Sequence, residues 1–122
     1  MKTLVKKMEI MGFFKTLPYL NAELLFPEKG PAHVWGRTNT KNNNSTIWLY
    51  PKLFEMTYES IQHCLLHEIA HIIQIADHGT SGHNSVFQAI LDKLIEKYGT
   101  PSIKAAKVSG TIALSNYKKD IN

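Results

Sequence analysis

The chain of 122 residues is long enough to bury one core and too short for two. A hydrophobic fraction of 43% beside 20% charged residues excludes a disordered or fibrous chain, and no apolar run approaches the roughly 20 residues of a membrane-spanning helix. The net charge is +4 with a pI near 9.2, and one cysteine, Cys64, excludes both an internal disulfide and an all-cysteine metal site and fits a reducing, cytoplasmic setting.

The N-terminal run MKTLVKKMEIMGFF has lysines but no sustained apolar stretch and no small-residue cleavage site, so it reads as fold and not as a signal peptide. Leu4, Val5, Met8 and Met11 recur at helical spacing, which predicts an amphipathic helix from residue 2 to about 15, closed by Pro18. Tyr19–Phe26 reads as a strand ended by the turn Pro27–Pro31. His33–Thr38 reads as a second strand, the asparagine-rich Asn39–Ser45 as a loop, and Thr46–Tyr50 as a third strand stopped by Pro51. Short connections favour an antiparallel meander.

Thr57 is a good N-cap for the next helix, with Glu59 in its first turn. That helix runs through Ile61, Leu65, Ile69 and Ile72 to about Asp77, and Gly79 suits the left-handed position after it. A last helix, from about Asn84 to Tyr98, carries an apolar face that includes Phe87, Leu91 and Ile95, and Gly99 and Pro101 end it. Gly110–Leu114 is a candidate strand in an ambiguous tail.

The chemistry concentrates in His67-Glu68-Ile69-Ala70-His71. Residues four apart on a helix share a face, so the two imidazoles can hold one ion at zinc–nitrogen distances of about 2.0–2.1 Å. Glu68 lies about 100° around the helix, placed to take a proton from a metal-bound water and return it to a leaving amine. Catalytic zinc usually takes three protein ligands, so one is still needed, and Asp77, His78, His83, Asp92 and Glu96 are the candidates. Gln74 stands where a metzincin-type continuation needs glycine, and Asp92 and Glu96 fall on the solvated face of the last helix. His83 is the better choice, because the turn Gly79-Thr80-Ser81-Gly82 can bring it back to the first helix while Phe87 packs there. His78, near the helix end, suits a dipole partner or a group behind the ligands. His63, one turn before His67, is either a further member of the site or a partly exposed flanking residue. Cys64, Trp35 and Trp48 read as core or sheet-face residues, and His33 is given no role.

Ser45–Phe54, then Leu66-His67-Glu68-Ile69-Ala70-His71, then Gly82-His83-Asn84-Ser85-Val86-Phe87 resemble, in that order, the SprT-like metallopeptidase family; Gly36-Arg37 resembles a pair in its early strand. The resemblance covers roughly residues 30–98 of what reads as one domain over 1–122. It implies His67, His71 and His83 as ligands of one catalytic zinc, Glu68 as the catalytic glutamate, and protein substrates, DNA-associated ones included. Many members carry a cysteine-rich zinc ribbon after the core, and a chain with one cysteine cannot build it.

Together these features predict an α+β fold in which a small antiparallel three-stranded sheet packs against helices, one bearing the metal ligands. The predicted activity is zinc-dependent hydrolysis of polypeptide, aligned by pairing to an exposed sheet edge. The competing reading is a zinc-stabilised binding module for nucleic acid or protein. Its support is the lysine excess, in which Arg37 is the only arginine: Lys2, Lys6, Lys7, Lys15, Lys104, Lys107, Lys118 and Lys119 could meet DNA phosphates or simply form a solvated surface. No membrane partner is expected, and the sequence specifies no oligomeric state.

Overall fold

A computed structural model describes residues 2–17, 21–31, 33–42, 44–79 and 82–99. In chain order these form helix α1 (Lys2–Thr16), strands β1 (Ala22–Leu25), β2 (Gly36–Lys41) and β3 (Asn44–Leu49), a 3₁₀ turn over Pro51–Glu55, and helices α2 (Tyr58–His78) and α3 (Ser85–Tyr98). The predicted α+β class holds. The candidate strand at residues 110–114 lies outside the described residues.

The sheet is mixed, not the predicted antiparallel meander. Its order is β1-β3-β2, with β1 parallel to β3 and β2 antiparallel to it. The cause is visible in β3, where Ser45, Ile47 and Leu49 are buried in alternation. The strand with the most to bury takes the centre, and residues 26–35 are long enough to carry the chain past its end to the far edge. Tyr50 N–H donates to Trp35 O at 2.9 Å, closing β2 onto β3 just before the ladder begins.

The second strand also starts and ends later than predicted. Trp35 is buried ahead of it, while Asn39, Thr40 and Lys41, expected in a loop, pair with Thr46, Ser45 and Asn44. The hydroxyls of Thr40 and Ser45 bond across the strands at 2.8 Å, so ladder pairing overrides the polar composition. Asn42, at φ 53°, takes the left-handed conformation that the reversal needs.

Helix α1 forms as predicted but buries a different face. Leu4, Val5 and Met8 are exposed, whereas Ile10 enters the core with Phe13, Phe14 and Leu17 packed against it. Lys6 faces inward: its Nζ donates to the carbonyls of Phe54 and Met56 at 3.1 and 2.8 Å. Lys7 lies over the rings of Phe26 and Phe54. Both lysines are thus engaged with the fold, with the stem of each lying along apolar surface.

Helix α2 is the centre of the molecule. Thr57 caps it, accepting from Ser60 N–H at 3.3 Å, and Gly79 ends it at φ 69°. Every residue from Ser60 to His71 is buried. Ile61, Cys64, Leu65 and Ile69 face the sheet, and Leu66 and Ala70 join Phe87, Leu91 and Ile95 of α3 in a second cluster. A Cβ on Gly36 would lie 2.9 Å from Cys64 Sγ, so glycine is what lets β2 approach this helix. Among the described residues no helix is long and apolar enough to cross a membrane.

Candidate metal centre

His67 and His71 project from α2 along the seam between its two apolar clusters, toward the start of α3. His83 arrives from the loop between the helices. Gly82, at φ 125°, adopts a backbone that side-chain-bearing residues disfavour, and this delivers His83 to the helix face. Asn84 then caps α3, its Oδ1 accepting from Phe87 N–H at 3.0 Å.

The result is a convergence of three imidazoles. His83 Nε2 lies 3.1 Å from His67 Nε2 and 3.1 Å from His71 Nε2, and one ring nitrogen from each residue falls within 4.8 Å of the others. A neutral ring nitrogen carries either one hydrogen or one lone pair, so His83 Nε2 cannot serve both neighbours fully by hydrogen bonding. Nitrogens on a tetrahedral ion at 2.0–2.1 Å would stand about 3.3 Å apart, close to the separations found. The set fits a metal ion.

Phe87 forms the base of this cluster, with its ring centroid 4.8, 4.4 and 5.0 Å from those of His67, His71 and His83. Burial holds His71 down to about pKa 4, with the nearby His83 adding to the shift, and burial also lowers His83. The Gln74 amide pulls His71 the other way. Gln74 Oε1 has no partner of hydrogen-bonding geometry among the described residues, so that pull is weak. Depressed histidine pKa values leave lone pairs available to a cation at neutral pH.

Glu68 is buried next to this cluster, and desolvation pushes its carboxyl up to about 8, against a smaller downward pull from Arg37. Its Oε2 makes no hydrogen bond within the described chain. An open groove of about 370 Å³ runs past Glu68, His71 and His83 and is bounded by Arg37, Asn39 and Thr40 of β2. Among the described residues β2 is an edge strand of the sheet, and residues 36–40 of it line this groove.

The remaining sequence candidates stay apart from the cluster. His78 is exposed in the last turn of α2, where a dipole partner belongs. His63, expected partly exposed, is buried instead, because α2 is enclosed on all sides at that level; it is not one of the three converging rings. Asp77 and Glu96 are exposed, and Asp92 accepts from Gln88 Nε2 at 2.8 Å. Sequence reasoning missed Gln74 and Asn84, whose side chains are joined at 3.1 Å, Nε2 to Oδ1. A polar residue one turn beyond His71 on a buried face was the available signal. It also missed Phe87 as a support for the histidine rings, having placed it only in the helix contact.

The α+β domain thus brings two histidines of its central helix together with a third from the loop that precedes α3, as a site able to hold one metal ion. The SprT-like family is matched over residues 20–108, most of the chain, and the protein belongs to that family. No match was found among curated proteins or among solved structures.

Proposed function

We propose that the protein is a zinc-dependent metallopeptidase that hydrolyses peptide bonds of protein substrates, with His67, His71 and His83 holding the metal and Glu68 as the proton carrier. The observation that carries this reading is the meeting of three Nε2 atoms beside a buried, uncommitted carboxyl at the side of an open groove. Bound zinc supplies a Lewis acid that makes water a nucleophile near neutral pH and polarises a carbonyl.

The chain's own residues supply the rest. Glu68 takes a proton from the attacking water through an oxygen that nothing else in the described chain engages, then returns it to the departing amine. The new carbon–oxygen bond replaces the carbon–nitrogen bond, and the proton balance closes through one residue. Among the described residues β2 is an edge strand, and its backbone groups are offered to an extended polypeptide, which suits a substrate chosen by conformation more than by one side chain.

The test is cleavage of an unfolded protein by enzyme stripped with a chelator and then reconstituted. Activity that vanishes on stripping and returns with zinc in proportion to occupancy supports the reading. Activity unchanged by complete metal removal would sink it, as would none at full zinc occupancy.

A further inference from the structure

Of the 14 lysines and arginines, Arg37 is the one arginine, and it lines the groove beside Glu68, His71 and His83. Gly36 and Thr38 of β2 turn toward the core: Gly36 abuts Cys64, and Thr38 pairs with the buried Ile47. Side chains alternate along a strand, so Arg37 leaves β2 on the opposite, exposed face, on what is an edge strand among the described residues. It nonetheless borders the same groove as Glu68, His71 and His83. Among the described residues the Arg37 guanidinium makes no ion pair or hydrogen bond. Of the residues lining the groove it is the exposed fixed charge.

A guanidinium presents a planar fork of N–H donors that matches the two oxygens of a carboxylate, a fit that a lysine ammonium lacks. An edge strand also brings the side chains of a paired polypeptide alongside its own, where opposite charges attract across the strands. We infer that Arg37 is a specificity-determining residue that binds an acidic side chain of the substrate polypeptide near the bond to be cut. The inference rests on the peptidase reading for what the polypeptide is there to undergo, but its test does not require turnover.

Zinc-loaded Glu68→Gln protein is titrated with labelled peptides in which one position at a time is Asp, Asn or Lys. Asp should bind about tenfold more tightly than Asn at one position, with Lys weakest, as expected for a charge pair at a partly shielded site. Adding Arg37→Ala should erase the Asp–Asn difference while leaving the Asn peptide unchanged, and Arg37→Glu should make Lys the preferred residue. Equal binding of Asp and Asn at every position overturns the inference, as does a preference that survives Arg37→Ala or a failure to bind any peptide. Charge-dependent binding by a wild-type protein that cuts none of these peptides would support this inference and remove the peptidase reading.

Discussion

Gln74 Nε2 donates to Asn84 Oδ1 at 3.1 Å, and the same oxygen accepts the Phe87 N–H that starts α3. One fully buried side chain on α2 thereby fixes the cap next to His83, so the position of His83 is set by a hydrogen bond between Gln74 and Asn84. Asn84→Ala should cost about 1 kcal/mol from the lost cap, and more from leaving the buried Gln74 amide unpaired. Asn84→Asp keeps an acceptor and should retain most of both. Thermal unfolding and zinc titration of the two variants check this; equal loss in both would contradict it.

Phe87 supports all three histidine rings while filling the cluster of Leu66, Ala70, Leu91 and Ile95. Phe87→Ala should destabilise the fold by about 3–5 kcal/mol. Phe87→Leu should cost less in stability yet still weaken metal binding, because a smaller aliphatic group leaves the rings without a flat support. Metal affinity measured in the folded Leu variant separates the two effects, and wild-type affinity there would refute the supporting role.

The metal-free protein should have a stability profile set by groups that pull in opposite directions. Glu68 titrates near 8 when folded against 4.5 otherwise, so from pH 4.5 to 8 the native state holds a proton that the unfolded chain has lost. Its contribution therefore falls as pH rises through that window. His71 titrates near 4 against 6.5, so from pH 4 to 6.5 the unfolded chain holds the extra proton and stability rises with pH. His83, also lowered, acts in the same direction as His71. Melting temperatures in chelator should peak near pH 6.5 and decline toward pH 8, and Glu68→Gln should abolish the decline. An identical decline in that variant would show that Glu68 is not its source.

Ligand identity is tested by metal content. His83→Ala should lose zinc by at least an order of magnitude in affinity, whereas His78→Ala, exposed at the end of α2, should bind as wild type does. Gly82→Ala should fall between them, because the backbone that delivers His83 has φ 125°. Tight zinc binding by His83→Ala would exclude it from the ligand set.

The elements easiest to read from sequence were those with local signals. Thr57, Gly79 and the helical spacing of His67 and His71 gave α2 its ends and its metal-facing side, and Phe87 with Leu91 and Ile95 gave α3. The sheet was legible in strand number but not in order. Which strand lies in the middle depends on how much each can bury once α2 is in place, and Gly36 takes its meaning only from Cys64, which is distant in sequence. The same limit hid the inward turn of Lys6, whose acceptors are carbonyls at Phe54 and Met56. At the site, spacing alone brought out the residues on one helix. The link from Gln74 to Asn84 and the place of Arg37 at the border of the groove depend on packing that no local pattern encodes.

The central claim is that Glu68 moves the proton in a reaction for which the three histidines hold the metal. It is tested most directly by kcat/KM on an unfolded polypeptide for wild type and Glu68→Gln at matched zinc occupancy. The substitution keeps size and removes the base, so the ratio should fall at least a hundredfold with zinc affinity little changed. Equal rates in the two proteins at equal occupancy would contradict the claim.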